Sequence, residues 1–266
     1  MRKSTGAFTE WMAPLAFIAC AAWVIWYGAS FIMAFGGETE ALAAKYRQAG
    51  PLDFVILAAL PVLAVIGAAT VRRADMEYED FGVFDRLSIF IGRVTMLLIA
   101  LLVCVMFYEV VLRYAFERPT LWANELSLWM AGFVFMFAGL YAMQQRSHIR
   151  IFLLYDLMPR WLQKVCDTIS TLLIVVFAAA VVYGGYGEAS AKFLRWELYG
   201  TAFDPPLPAT TKPAILIVIC LVALQAVSNL FKDWSKEKEV HLPVEDIDVE
   251  ELTRGALGDD AQGGKR

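Results

Sequence analysis

One stretch of this sequence gathers charged and amphipathic side chains at spacings that could do electrostatic work: Tyr108-Glu-Val-Val-Leu-Arg-Tyr-Ala-Phe-Glu-Arg-Pro-Thr-Leu-Trp-Ala-Asn-Glu125. Glu109 and Arg113 stand four residues apart, one turn along a helix, in the stabilising order for an ion pair. Pro119 stops helical continuation, and Glu125 opens the next apolar run, where its charge also suits a helix N-terminus. The expectation is that Arg113 is held by carboxylates, Glu125 first and Glu109 second, and that the cluster fixes a hairpin. An ion pair partly removed from water is worth more than a solvated one, because less water competes for it. A simpler reading stays open beside it: charged side chains snorkelling at two helix ends, with Tyr114 and Trp122 as interface anchors. In both readings the chemistry is structural.

Catalysis and cofactor binding find no comparable constellation. Haem ligation between helices needs facing histidines, and the only two, His148 and His241, lie outside the apolar runs. No phosphate loop, dinucleotide fingerprint, zinc-protease helix or nucleophile elbow occurs in the chain, so neither enzyme activity nor a cofactor in this chain is expected. The four cysteines, Cys20, Cys104, Cys166 and Cys220, fall one apiece in or beside different apolar runs without paired spacing. They read as small packing residues rather than a disulfide or metal framework.

The elements that position these residues are membrane helices. Of 266 residues 59% are hydrophobic and 19% charged, and the mean hydropathy is +0.56, which defines an all-α integral membrane protein. Six runs are long enough to span: Trp11 to Gly37, Phe54 to Val71, Ile89 to Leu112, Leu126 to Gln145, Thr168 to Gly187 and Pro213 to Phe231. In the second, Pro61 and Gly67 suggest a kink and close helix packing. In the third, Arg93 and Glu109 lie near the ends, within snorkelling reach of the interface. Two further segments, His148 to Pro159 and Glu188 to Leu198, mix bulky apolar and charged residues and suit short amphipathic helices in the membrane surface. Residues Tyr199 to Lys212, with Pro205, Pro206 and Pro208, should be extended loop.

The first apolar run is too long for the core of a secretory signal and should be a retained helix. Placing both termini in the cytoplasm puts 15 basic residues inside and 7 outside, which satisfies the positive-inside bias. The segment Lys232 to Arg266, with 6 basic and 10 acidic residues, accounts for the net charge of −4 and gives no footprint for nucleic acid. A self-contained channel or carrier would place polar residues or helix breaks deep in several spans, and these spans are nearly unbroken apolar sequence. The chain therefore reads as scaffolding, with a small channel or carrier, or a membrane anchor for a redox or signalling enzyme, as rivals.

At the residues that open this section the chain resembles a known family, the small membrane subunit (DctQ-like) of tripartite ATP-independent periplasmic, or TRAP, transporters. The likeness runs from Gly92-Arg93 through Phe107 to Tyr114, Pro119, Trp122 and Glu125-Leu126, on to Ala142 and His148-Ile149-Arg150, then Leu153 to Tyr155 and Lys212-Pro213 to Leu224-Gln225. It implies a four-helix small-subunit domain over residues 85–232, a span count that members commonly have; hydropathy puts two additional spans ahead of it in 1–75, and charge marks 233–266 as an acidic cytoplasmic tail, expected to be disordered. It further implies a bacterial inner-membrane protein with two partners. One is a large membrane subunit that carries the sodium and substrate sites, and the other is a periplasmic protein that captures an organic acid. The small subunit would brace the first and help dock the second, with Glu109, Arg113, Tyr114, Pro119, Trp122, Glu125 and His148 as assembly residues. Helices three to six, with Ala180 and Gly184 four apart, would form the contact with the large subunit. Many members carry an aspartate shortly after the His-Ile-Arg stretch, where this chain has Phe152, so that carboxylate's role does not carry over. Nor does the likeness imply what the two extra helices do.

Overall fold

The computed structural model describes residues 4–36, 40–74, 77, 82–146, 155 and 158–234. Among them are eight helices: α1 (Ser4–Trp26), α2 (Gly28–Ala34), α3 (Glu40–Lys45), α4 (Pro51–Thr70), α5 (Val83–Ala115), α6 (Ala123–Gln144), α7 (Arg160–Leu194) and α8 (Leu207–Asp233). Five are long and apolar enough to cross a bilayer, and the bent pair α1–α2 makes a sixth candidate. The chain is an all-helical, multi-pass membrane protein. We call the membrane face at which α5 gives way to α6 the upper face and the opposite one the lower.

Two of the spans begin with the same device. Asp53 at the third position of α4 accepts a hydrogen bond from the Gly50 N–H at 2.8 Å, and Asp85 at the third position of α5 accepts one from Gly82 at 2.7 Å. Each carboxylate satisfies a backbone donor that has no intrahelical partner, and its charge favours the helix N-terminus. The helices then pack as three antiparallel hairpins, α1 with α4, α5 with α6 and α7 with α8. Helix α8 also lies along α6, and α1 and α4 rest on α5.

The join between the N-terminal helices and α5 is a tight apolar fit. Phe90, fully buried, sits against Gly67 so closely that a Cβ there would fall 2.1 Å from its ring, and Phe17 meets it edge-on at 5.5 Å. Ala13, Ile91, Val94 and Leu140 complete this core. Gly67 thus serves close packing, as expected of it, and α4 continues helically through Pro61.

The first span is not one helix. It bends by 65° between α1 and α2, and the cause lies in the ring of Trp196 packed on Gly28, where a Cβ would fall 2.0 Å from it. Trp196 follows the C-cap of α7 in a left-handed conformation, φ 48°, and the Glu197 N–H closes the turn onto the Lys192 carbonyl at 3.1 Å. Glycine is the usual residue at this position of a helix-ending turn. A bulky residue there costs about 1–2 kcal/mol, which burial of the indole, 5% exposed, offsets. Trp196 joins Ala29, Ile32, Met33, Leu42 and Ala209 in a second core beneath the upper face.

Other boundaries differ from the sequence reading for local reasons. Residues Glu188–Leu194 form no separate surface helix; they are the last turns of α7, because Ala189 packs inward and the apolar face simply continues. Pro208 lies in the first turn of α8 rather than in a loop, a position where proline's missing N–H costs nothing. Cys104 and Cys220 are exposed on outward faces instead of packed, while Cys20 and Cys166 are half-buried, and all four are free. The expected surface helix from His148 to Pro159 and the acidic tail beyond Trp234 fall, nearly all of the first and all of the second, outside the described residues.

Candidate functional site

At the hairpin between α5 and α6 the chain reverses through Glu117, φ 54°, with the Arg118 N–H returning to the Leu112 carbonyl at 3.0 Å. This turn carries Thr120 back beneath the end of α5. Glu109, 2% exposed, is the centre of the site. One carboxylate oxygen accepts from Arg113 Nε at 3.0 Å and Nη2 at 2.5 Å. The other accepts from the Thr120 backbone N–H at 3.0 Å and from the Thr120 hydroxyl. Four donors on one carboxylate close the hairpin, and the charge they surround is fully paired.

The order of partners is therefore the reverse of the sequence expectation. Glu125 does not hold Arg113; it accepts a 2.5 Å hydrogen bond from Thr201 in the loop after α7. The turn places Glu125 on the side of α6 that faces that loop, while Thr120, a residue to which sequence reasoning gave no role, fills the carboxylate's second oxygen. Arg113 keeps 42% of its side chain exposed. Tyr114 projects outward at 78% exposure, Pro119 is exposed in the turn, and Trp122 stacks on Tyr108 with centroids 6.0 Å apart. His148 lies outside the described residues.

Three further polar clusters went unread in the sequence. Near the lower face Arg93, 7% exposed, does not snorkel: it grips Glu77 through Nη1 at 2.9 Å and Nη2 at 3.1 Å, reaches Glu10 of α1 at 3.4 Å and donates to the Arg72 carbonyl at 3.1 Å. Glu77 also accepts from the Tyr141 hydroxyl at 2.9 Å and the Ala74 N–H at 2.8 Å. Gly92 lets the Tyr141 ring approach, since a Cβ there would meet it at 2.5 Å. One guanidinium thus ties α1, the α4–α5 connection, α5 and α6 together.

The second cluster joins α5, α6 and α8 at the same face. Asp85, fully buried, accepts from Gln225 Nε2 at 2.8 Å and is paired with Lys232. Gln225 accepts from Ser88 at 3.0 Å and donates to Asn229 at 2.9 Å, and Asn229 donates to the Met143 carbonyl at 2.7 Å. The third lies at the upper face, where Asp53 takes both Arg47 nitrogens, at 2.7 and 2.9 Å, and the Trp23 indole N–H at 2.9 Å. The hydrogen bonds that Arg47 donates to Asp53 raise its pKa above the ordinary value, and the guanidinium lies over the Tyr27 ring at 4.1 Å. The readable signals were an aspartate three residues past Gly50 and Gly82, and the Gln225–Asn229 pair at i,i+4 inside a span.

A bundle of membrane helices whose interior polar groups tie helix to helix defines a multi-pass membrane protein. The family model for the DctQ component of tripartite ATP-independent periplasmic transporters matches residues 102–236, just over half of the chain, and the chain belongs to that family. Members are small membrane subunits of TRAP transporters, a transporter component rather than an enzyme family. The matched region takes in the end of α5 and all of α6, α7 and α8. A search among curated proteins finds no match to the chain.

Proposed function

We propose that the chain is a static brace for the large transport subunit, helps dock a periplasmic substrate-binding protein, and so serves sodium-coupled uptake of an organic acid. The observation that carries this reading is the pairing of the buried ionisable groups. Asp53, Glu77, Asp85, Arg93 and Glu109 are each engaged by another residue of this chain, across helices or across a turn. A substrate or ion site would need polar groups aimed into a cavity near the midplane, and these are instead spent on fixing helix against helix. Sodium and substrate then belong to the large subunit.

The lower face, with both ends of the described chain, is read as cytoplasmic from the distribution of basic residues. The outer surface of α7 is the contact for the large subunit: its apolar stretch is the least buried among the five long helices, and a Cβ at Gly184 or Gly187 would meet nothing within 4 Å. Small residues there let a partner helix approach closely. The four bonds on Glu109 hold the α5–α6 hairpin as a rigid platform on the periplasmic side. Single cysteines crosslinked in native membranes test this. Residues 180, 184 and 187 should crosslink to the large subunit, and crosslinks confined to residues before Val71 would refute it.

A further inference from the structure

The N-terminal helices meet α5 closely near the lower face, but toward the upper face they part from α6 and α8 and leave a wedge. It is a groove of about 460 Å³, lined by Gly28 and Phe31 of α2, Phe133 of α6, Trp196, and Ala214 and Ile217 of α8, among others. The groove opens to the outside of the bundle. Among the described residues that line it Thr210 is the one with a hydroxyl, amide or charged side chain, and that hydroxyl is already engaged, accepting from Trp129 at 2.9 Å and donating to the Pro206 carbonyl at 2.7 Å. Water has no partners in such a space, and an empty one forfeits the contacts of every lining atom.

Dimension and charge together select the occupant. Along α8 the lining runs from Ala209 to Ile217, about 12 Å at 1.5 Å per residue, which is close to the roughly 15 Å depth of one leaflet. A methylene takes up about as much room as a water molecule in the liquid, roughly 30 Å³, so the groove holds on the order of fifteen of them, one acyl chain. A helix from a partner, roughly 10 Å across with its side chains, would need about twice that volume over the same length.

The rim has unsatisfied positive charge. On the upper face Arg47, Arg113, Lys192 and Lys212 are paired with Asp53, Glu109, Glu197 and Glu188. Lys45, Arg118 and Arg195 are exposed and make no ion pair among the described residues, and Arg118 belongs to the α5–α6 turn, no residue of which lines the groove. Arg195 lies between Leu194 and Trp196, both of which line the groove. Lys45 stands 5.6 Å over the Tyr46 ring, which packs on the core that contains Trp196 and Ile32. Two cations beside an indole and a phenol at a leaflet surface are matched to a lipid phosphate. We propose that a phospholipid seats one acyl chain in this wedge, its phosphate held by Lys45 and Arg195, and so completes the packing of the N-terminal helices on the family's helical unit.

The test uses the full chain in phosphatidylcholine vesicles doped with phosphatidylglycerol that carries a photoactivatable diazirine on one acyl chain, with labelled peptides mapped after irradiation. Labelling of residues 28–35 and 209–217 should exceed that of the exposed α7 face around Leu172 several-fold. Ala214→Phe, which fills the groove, should reduce the groove label at least threefold. Lys45→Ala combined with Arg195→Ala, both at exposed positions that leave the fold intact, should reduce it for labelled phosphatidylglycerol at low doping. Even labelling around the bundle, or a groove label indifferent to the paired cation substitutions, would overturn the proposal. Loss of the label on adding the large subunit would assign the wedge to that partner and overturn it equally.

Discussion

Replacing Arg93 by methionine should destabilise the bundle by about 3–5 kcal/mol, the range for breaking a buried ion pair from one side. The magnitude follows from the surroundings. The guanidinium is 7% exposed and the Glu77 side chain 1% exposed, so water cannot substitute for the lost partner. Glu77 would keep the Tyr141 hydroxyl and the Ala74 N–H, but its charge would stay buried, with Glu10 nearby and equally deprived. Methionine fills much of the volume, so the loss reports charge rather than a cavity. Glu77→Gln should itself cost about 1–3 kcal/mol, because Arg93 retains Glu10 and the Arg72 carbonyl. The double variant should lose less than the sum of the two, with a coupling of at least about 1 kcal/mol. The assay is unfolding of the purified protein in mixed micelles, followed by tryptophan fluorescence. Additive losses, or an Arg93→Met loss under about 0.5 kcal/mol, would refute the reasoning, and the N-terminal helices would then be held by their apolar contacts, among them Phe90 on Gly67 and Trp196 on Gly28.

Three further outcomes follow from the geometry. In the same unfolding assay Glu109→Gln should destabilise clearly, and Thr120→Ala should be strongly non-additive with it, while Glu125→Gln stays within about 0.5 kcal/mol of the parent; a larger effect at Glu125 would restore it as the partner of Arg113. Gly28→Leu should cost about 1–3 kcal/mol by driving out the Trp196 ring, and Trp196→Ala in the same chain should abolish most of the added cost; equal costs in both backgrounds would remove Trp196 as the cause of the bend. Gln225→Leu should cost about 1–3 kcal/mol by stripping Asp85 of an amide donor and leaving the Ser88 hydroxyl and the Asn229 side-chain oxygen without their partner; a neutral result would mean that Lys232 and the Gly82 N–H satisfy Asp85 without it.

The membrane spans were legible in the sequence because hydropathy over about 20 residues is a property of the run itself. Their pairing was only partly so. Glu109 with Arg113 is local, four residues along one helix, and could be read. That Glu109 rather than Glu125 holds Arg113, with Thr120 on its second oxygen, is decided by a left-handed residue at Glu117, which no spacing announces. Arg93 looked like a snorkelling side chain because its partners, Glu77 and Glu10, lie 16 and 83 residues away. The bend in the first span was illegible for the same reason: Tyr27-Gly28 is unremarkable until a tryptophan 168 residues later is placed on it. Gln225 was on view as part of the family likeness, yet its role needed Asp85 to be brought across from α5.

The central claim is that this chain holds a transporter together and does not itself transport. The measurement that tests it most directly is sodium-driven uptake of radiolabelled organic acids by proteoliposomes that contain this chain alone, its large partner subunit alone, or both, each with the cognate substrate-binding protein added outside. The account predicts no uptake above background for this chain alone and uptake with both subunits present. Sodium-dependent accumulation by vesicles holding this chain as their only membrane protein would contradict it.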